Sequence, residues 1–139
     1  MALDQLYQQL ILEHNRNPRN FGRLENPTHT ARGQDALCGD DILIELKVVN
    51  DQIEQARFSG QSCAITRASA SLLTDWLTGR TTAEVGPTFD HFHTLLTDAT
   101  IPDLPDLGDI NQLRAVSQFP ARRRNAELPW KSTLRALNR

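Results

Sequence analysis

The chain has 139 residues, 39% hydrophobic and 23% charged, and 15 basic against 17 acidic side chains leave a formal net charge of −2. That length buries a core without disulfides, the balance is that of a globular domain, and no run nears the roughly 18 apolar residues of a membrane span. The amphipathic opening lacks a basic stretch followed by an apolar core, so one domain over residues 1–139 is expected, in the cytoplasm. Cys38 and Cys63 are too few for a disulfide framework and are expected as free thiols.

Leu3, Leu6, Tyr7, Leu10 and Ile11 fall on one helical stripe, which Asn17-Pro18 ends. A segment from about Thr28 to Ala36 is a plausible strand. Ile42, Ile44, Leu46 and Val48 then alternate with Asp41, Leu43, Glu45 and Lys47, the pattern of a half-buried strand. Asn50-Asp51 reads as a hairpin turn and Ile53 to Ser59 as the returning strand. After Gly60-Gln61-Ser62, helical spacing runs from Cys63 to Thr78, with Gly79 as its stop. Thr81 to Glu84 fits a capping box, but Pro87 is expected to interrupt that helix, with a fresh one around Phe89, Phe92, Leu95 and Leu96. Ile101 to Asp106 reads as a loop, Asp109 as the cap of a short helix through Val116, and Pro120 as the opening of a last helix bent at Pro129. Strands first and helices after predict an α+β fold, a small antiparallel sheet with helices mainly on one face.

Two segments carry candidate chemistry. In Cys38-Gly39-Asp40 the glycine permits a tight turn, so a thiolate and a carboxylate can converge on one ion; a buried thiol beside a turn aspartate is the plainer alternative. Cys63 opens a helix, where unpaired N–H groups favour a thiolate, although a cysteine used only for packing fits the position equally well. Charge is uneven: residues 84–109 hold six acids and no Lys or Arg, whereas residues 114–139 hold seven basic residues against Glu127. That polarity suits a partner-docking surface, here Arg122, Arg123, Arg124 and Lys131. Nucleic acid is not expected, since the chain is net acidic and only 6% aromatic.

The Cys38-Gly39-Asp40 turn, the run Gly60 to Ser71 around Cys63, and Phe119 to Trp130 resemble, in order, the three signature segments of the U-type iron–sulfur cluster assembly family: IscU, SufU and the N-terminal part of NifU. The opening Tyr7 to Phe21 is similar too, and the acidic stretch from Arg80 to Ile110 resembles the insertion of SufU-type members. The resemblance implies a scaffold or sulfur-acceptor protein, at most a zinc-dependent sulfurtransferase. Its site would hold zinc or an iron–sulfur cluster on three cysteines and an aspartate. Cys38, Asp40 and Cys63 match, but the third cysteine position is Asn125, whose neutral amide is a poor donor to either group. His91 and His93 are substitute ligands or a solvated helix surface. The implied partners are a cysteine desulfurase passing sulfur to Cys38 and other assembly proteins, with a bound cation offsetting the Asp40 charge during transfer. A non-catalytic adaptor or competitor at the desulfurase, without metal, and a binding module unrelated to sulfur are the alternatives.

Overall fold

The computed structural model describes residues 3–139; the side chains of Leu3, Asp4 and Leu6 lie outside the described set, and with them two members of the predicted opening stripe. The elements are α1 (Leu3–Arg16), β1 (His29–Asp35), β2 (Asp40–Val49), β3 (Gln52–Gln61), α2 (Ala64–Leu77), α3 (Thr82–Thr97), a 3₁₀ segment η1 (Pro105–Val116) and α4 (Pro120–Ala136). The strands form one antiparallel sheet in the order β1-β2-β3.

Alternation in β2 puts Ile42, Ile44 and Leu46 into the core, where they meet Ile53, Ala56 and Phe58 of β3. Asn50 and Asp51 both take positive φ, 52° and 63°, the left-handed pair that a two-residue hairpin requires. Glu45 faces away from Ile44 and is expected in water, yet it is only 2% exposed. The loop after α1 covers it: Arg23 Nε donates to its carboxylate at 2.9 Å and the Leu24 N–H at 3.1 Å. A buried carboxylate with a charged partner and a backbone donor avoids the desolvation penalty that an unpaired one incurs.

Helix α4 packs on β1 and β2, α2 packs on β3 and on α4, and α1 and α3 flank that pair. Among the aromatic residues at this junction, Trp130 is fully buried, with its ring 5.5 Å from Trp76 and 5.3 Å from Phe92. Trp130 Nε1 is, among the described residues, the one buried side-chain polar atom without a hydrogen-bond partner.

The helical region departs from expectation in two places. Pro87 does not divide α3, which runs unbroken from Thr82 to Thr97 behind a complete Thr81–Glu84 capping box. A proline removes a single ladder bond, here the one to the Ala83 carbonyl, and the apolar face carrying Val85, Phe92, Leu95 and Leu96 holds the helix together across it. The 3₁₀ segment begins after Leu104, inside the expected loop, and is two runs joined by a kink at Gly108 (φ 51°, ψ −128°); the second leads from Asp109 to Val116 as expected.

Candidate functional site

The cluster forms where the β1–β2 turn, the start of α2 and the first turns of α4 meet. Residues Ala36 to Gly39 make the turn, held by Cys38 N–H to the Asp35 carbonyl (3.2 Å) and Leu37 N–H to the Asp35 carboxylate (3.1 Å). Gly39 has φ 70°, a left-handed position where a side chain would be strained, and this lets Cys38 and Asp40 stand on either side of a tight bend.

Asp40 is the hub. Only 3% exposed, it accepts from the Cys63 N–H at 2.7 Å on one carboxylate oxygen, and on the other from Thr66 Oγ1 at 2.6 Å and Asn125 Nδ2 at 2.9 Å. Cys63 is the N-cap of α2, so the carboxylate also sits at the positive end of that helix, the favourable location for an anion. Asn125, with no exposed surface, turns its amide oxygen towards Cys38, whose Sγ lies 3.6 Å away. Its main-chain carbonyl lies where Pro129, four residues on, cannot supply an N–H; Thr66 Oγ1 approaches it instead at 3.4 Å. Cys63 Sγ is 3.4 Å from the same Thr66 hydroxyl.

The structure thus brings together Cys38, Asp40, Cys63 and Asn125. Cys38 and Cys63, both partly exposed, open onto a groove of about 600 Å³ shared with Leu37, Phe119, Pro120, Ala121, Arg122 and Arg124. Leu37 is 87% and Phe119 57% exposed, an apolar rim on the two sides of the thiols.

His91 and His93 do not line this groove. His93 instead pairs through Nδ1 with the buried Glu127 carboxylate at 2.5 Å, which Lys131 Nζ also approaches at 3.4 Å. The basic residues are not one free face either. Consecutive positions on a helix point about 100° apart, and Arg123 donates to the Ser117 carbonyl, Arg124 pairs with Asp35 at 3.6 Å, and Lys131 pairs with Glu127. Arg122 and Arg124 are the two that reach the groove.

Sequence reasoning missed Thr66, which touches Asp40, Cys63 and Asn125; its only signal is its place three residues after the N-cap, on the turn of α2 that faces the cap. It also missed Leu37 and Phe119, one inside the Ala36–Gly39 turn and one directly before the Pro120 that opens α4.

Residues 6–126 match the NifU-like N terminal domain. The chain belongs to that family. This NifU-like domain is 38% identical over 130 residues to the zinc-dependent sulfurtransferase SufU of Bacillus subtilis, covering 94% of this chain and 88% of the relative. It is 29% identical over 137 residues to the iron–sulfur cluster assembly scaffold protein IscU of Streptococcus pyogenes, covering 99% and 86%. Among solved structures, a protein described only as hypothetical superposes with TM-score 0.88 at 29% identity, covering 98% of this NifU-like domain and 99% of that chain. A protein of Fervidobacterium islandicum, proposed as an assembly scaffold for the SUF system, superposes with TM-score 0.86 at 25% identity over 98% and 99%. The small antiparallel sheet with its helices is therefore the family's fold.

Zinc or a cluster, which those relatives' names imply, fits the donors of this NifU-like domain poorly. Zinc closes with four thiolate, imidazole or carboxylate donors. Both Asp40 oxygens are already taken by protein donors, and Asn125 points its nitrogen, which cannot ligate, at Asp40. Among the described residues, no three His, Cys, Asp or Glu side chains are placed to share one ion.

Proposed function

We propose that the domain works in iron–sulfur cluster assembly, accepting persulfide sulfur on Cys38 from a cysteine desulfurase. What supports Cys38 is its setting: it sits on an exposed turn between an 87%-exposed Leu37 and Gly39, whereas Cys63 caps α2 and packs against the hydrophobic core. A thiolate must reach the partner's persulfide to attack it. The Cys38 thiolate bonds to the terminal sulfur, the partner's S–S bond breaks, its electron pair leaves on the partner's cysteine, and Cys38 carries the new persulfide. Arg122 and Arg124 at the rim favour an acidic partner surface and the anionic persulfide, while Leu37 and Phe119 offer it apolar contact.

The closed bonding of Asp40 supports a second reading, an adaptor that occupies the desulfurase and takes no sulfur. One experiment separates the two. Incubated with a desulfurase and cysteine, the protein and its Cys63→Ser variant should each gain the mass of one sulfur, and Cys38→Ser should gain none. Label that persists in Cys38→Ser and vanishes in Cys63→Ser transfers the role to Cys63; absence of label in every form, with the complex intact, leaves the adaptor.

A further inference from the structure

We infer that Asn125 closes the cluster as a hydrogen-bonded, metal-free unit, its amide standing where an ion would tie Cys38 to Asp40. The inference concerns metal alone and does not depend on sulfur transfer to Cys38. A shared ion in such a cluster has two tasks: it stabilises the buried carboxylate, and it joins the turn after β1 to the start of α2 and to α4. Every part of both tasks is done here by protein groups. The carboxylate accepts three hydrogen bonds, from the Cys63 N–H on one oxygen and from the Thr66 hydroxyl and the Asn125 amide on the other, at 2.7, 2.6 and 2.9 Å. The three segments are joined because Asn125 of α4 donates to Asp40 with one end of its amide and faces Cys38 at 3.6 Å with the other, while the Cys63 N–H and the Thr66 hydroxyl tie the start of α2 to the same carboxylate.

Asn125, Thr66 and Asp40 are respectively 0, 0 and 3% exposed, so water is not a ready substitute for any of these bonds. An ion binding the Asp40 oxygen that Thr66 and Asn125 share would displace one of those donors, and displacing Asn125 leaves its amide unpaired in a buried place. That is the costly half of a hydrogen-bond exchange, since a buried donor without an acceptor loses its full hydration. In return the ion gains only a neutral oxygen in place of a thiolate. Asn125 therefore sets a preference against zinc as well as omitting a ligand, and the cluster is organised before any ligand arrives.

The test compares the wild-type protein with Asn125→Cys, each stripped with chelator, then given zinc. Thermal unfolding of the wild type should move by less than about 1 °C on adding zinc. Stripped Asn125→Cys should unfold below stripped wild type, because the Asp40 partner is lost, and zinc should raise it past the wild type. Zinc affinity, read by competition with a colorimetric chelator, should be at least about 100-fold tighter in the variant. Stoichiometric zinc held by the wild type as tightly as by the variant, or a wild type that loses stability when stripped, overturns the inference. Should Asn125→Cys fail to fold, alkylation of Cys38 and Cys63 by iodoacetamide in the wild type decides: equal rates with and without zinc support the amide closure, and slowing of both thiols refutes it. If Cys38 takes up no sulfur while zinc remains without effect, the acceptor role fails and the closure stands. Sulfur on Cys38 together with tight wild-type zinc is the converse.

Discussion

His14 is a buried side chain outside the cysteine cluster, only 2% exposed, with Nδ1 2.6 Å from Ser71 Oγ. Burial, with the nearby Arg19 charge adding to it, holds its pKa below the ordinary 6.5. The unfolded chain therefore binds a proton at a higher pH than the native one. Stability is unaffected above about pH 6.5 and declines as pH falls from there towards the depressed native value. Urea midpoints should drop between pH 7.5 and pH 5.5, and His14→Gln should flatten that drop; an unchanged slope in the variant assigns the loss to other groups. Glu84 and Asp98, lowered from 4.5 and 3.8 chiefly by hydrogen bonds from the Thr81 and Thr100 backbone and hydroxyl groups, act in a separate, more acidic window. Within the cluster, Asp40→Ala would orphan the Cys63 N–H and the Asn125 amide together, at a cost of about 2–4 kcal/mol, readable as a lower denaturant midpoint; a loss under about 1 kcal/mol means water reaches those groups. Cys38, Asp40 and Cys63 could be picked out from the chain because each sits in a short contiguous motif, and Asn125 because the segment around it resembles the family's third signature. Thr66 could not, since its partners Asp40 and Asn125 lie 26 and 59 residues away and its place three residues after the N-cap says nothing of them.

Two elements carry predictions that their local sequences make sharp. Gly60 in β3 has φ 106°, and a Cβ there would lie well inside contact distance of the Asp41 backbone oxygen on the neighbouring strand. Gly60→Ala should cost at least about 2 kcal/mol and displace the strand end that leads into Cys63; a near-neutral midpoint shows that the two strands separate there easily. Pro87 makes the opposite case. It is exposed within α3, so Pro87→Ala restores the bond to the Ala83 carbonyl without disturbing the core and should stabilise by about 1–3 kcal/mol. No gain would mean the helix is already broken in solution, as the local pattern suggests. The strands were legible because period-two alternation and the Asn50-Asp51 turn are local signals. The continuity of α3 and the burial of Glu45 were not, since one comes from packing of a whole apolar face and the other from Arg23 and Leu24, more than 20 residues upstream.

Across the whole molecule, the charge asymmetry that stands out in the chain is partly cancelled by folding. Arg80 pairs with Asp106 at 3.2 Å and Arg114 with Asp103 at 2.8 Å, so the acidic stretch is laced to neighbouring cations instead of presenting a bare acidic surface. What remains near the thiols is Arg122, with Arg124 beside it at the groove and paired to Asp35 at 3.6 Å. Charge at a rim acts mainly on the association rate and is screened by salt. Capture of a desulfurase should therefore weaken between low and physiological ionic strength, and Arg122→Glu with Arg124→Glu should slow association by roughly tenfold or more at low salt. Rates that ignore both salt and charge reversal would leave Leu37 and Phe119 as the docking determinants.

The Trp76–Trp130 pair spans α2 and α4, the two helices whose N-terminal halves hold Thr66 and Asn125. The chain has two tryptophans and both are in that pair, one of them fully buried, so its ultraviolet emission is an intrinsic optical gauge of how these helices sit on each other. Two indoles this close, tilted 42° to one another, also couple their transitions, which gives a signed near-ultraviolet dichroism signal that disappears when the helices part. Substitutions around the thiols can then be followed in real time, without a dye and without a partner protein.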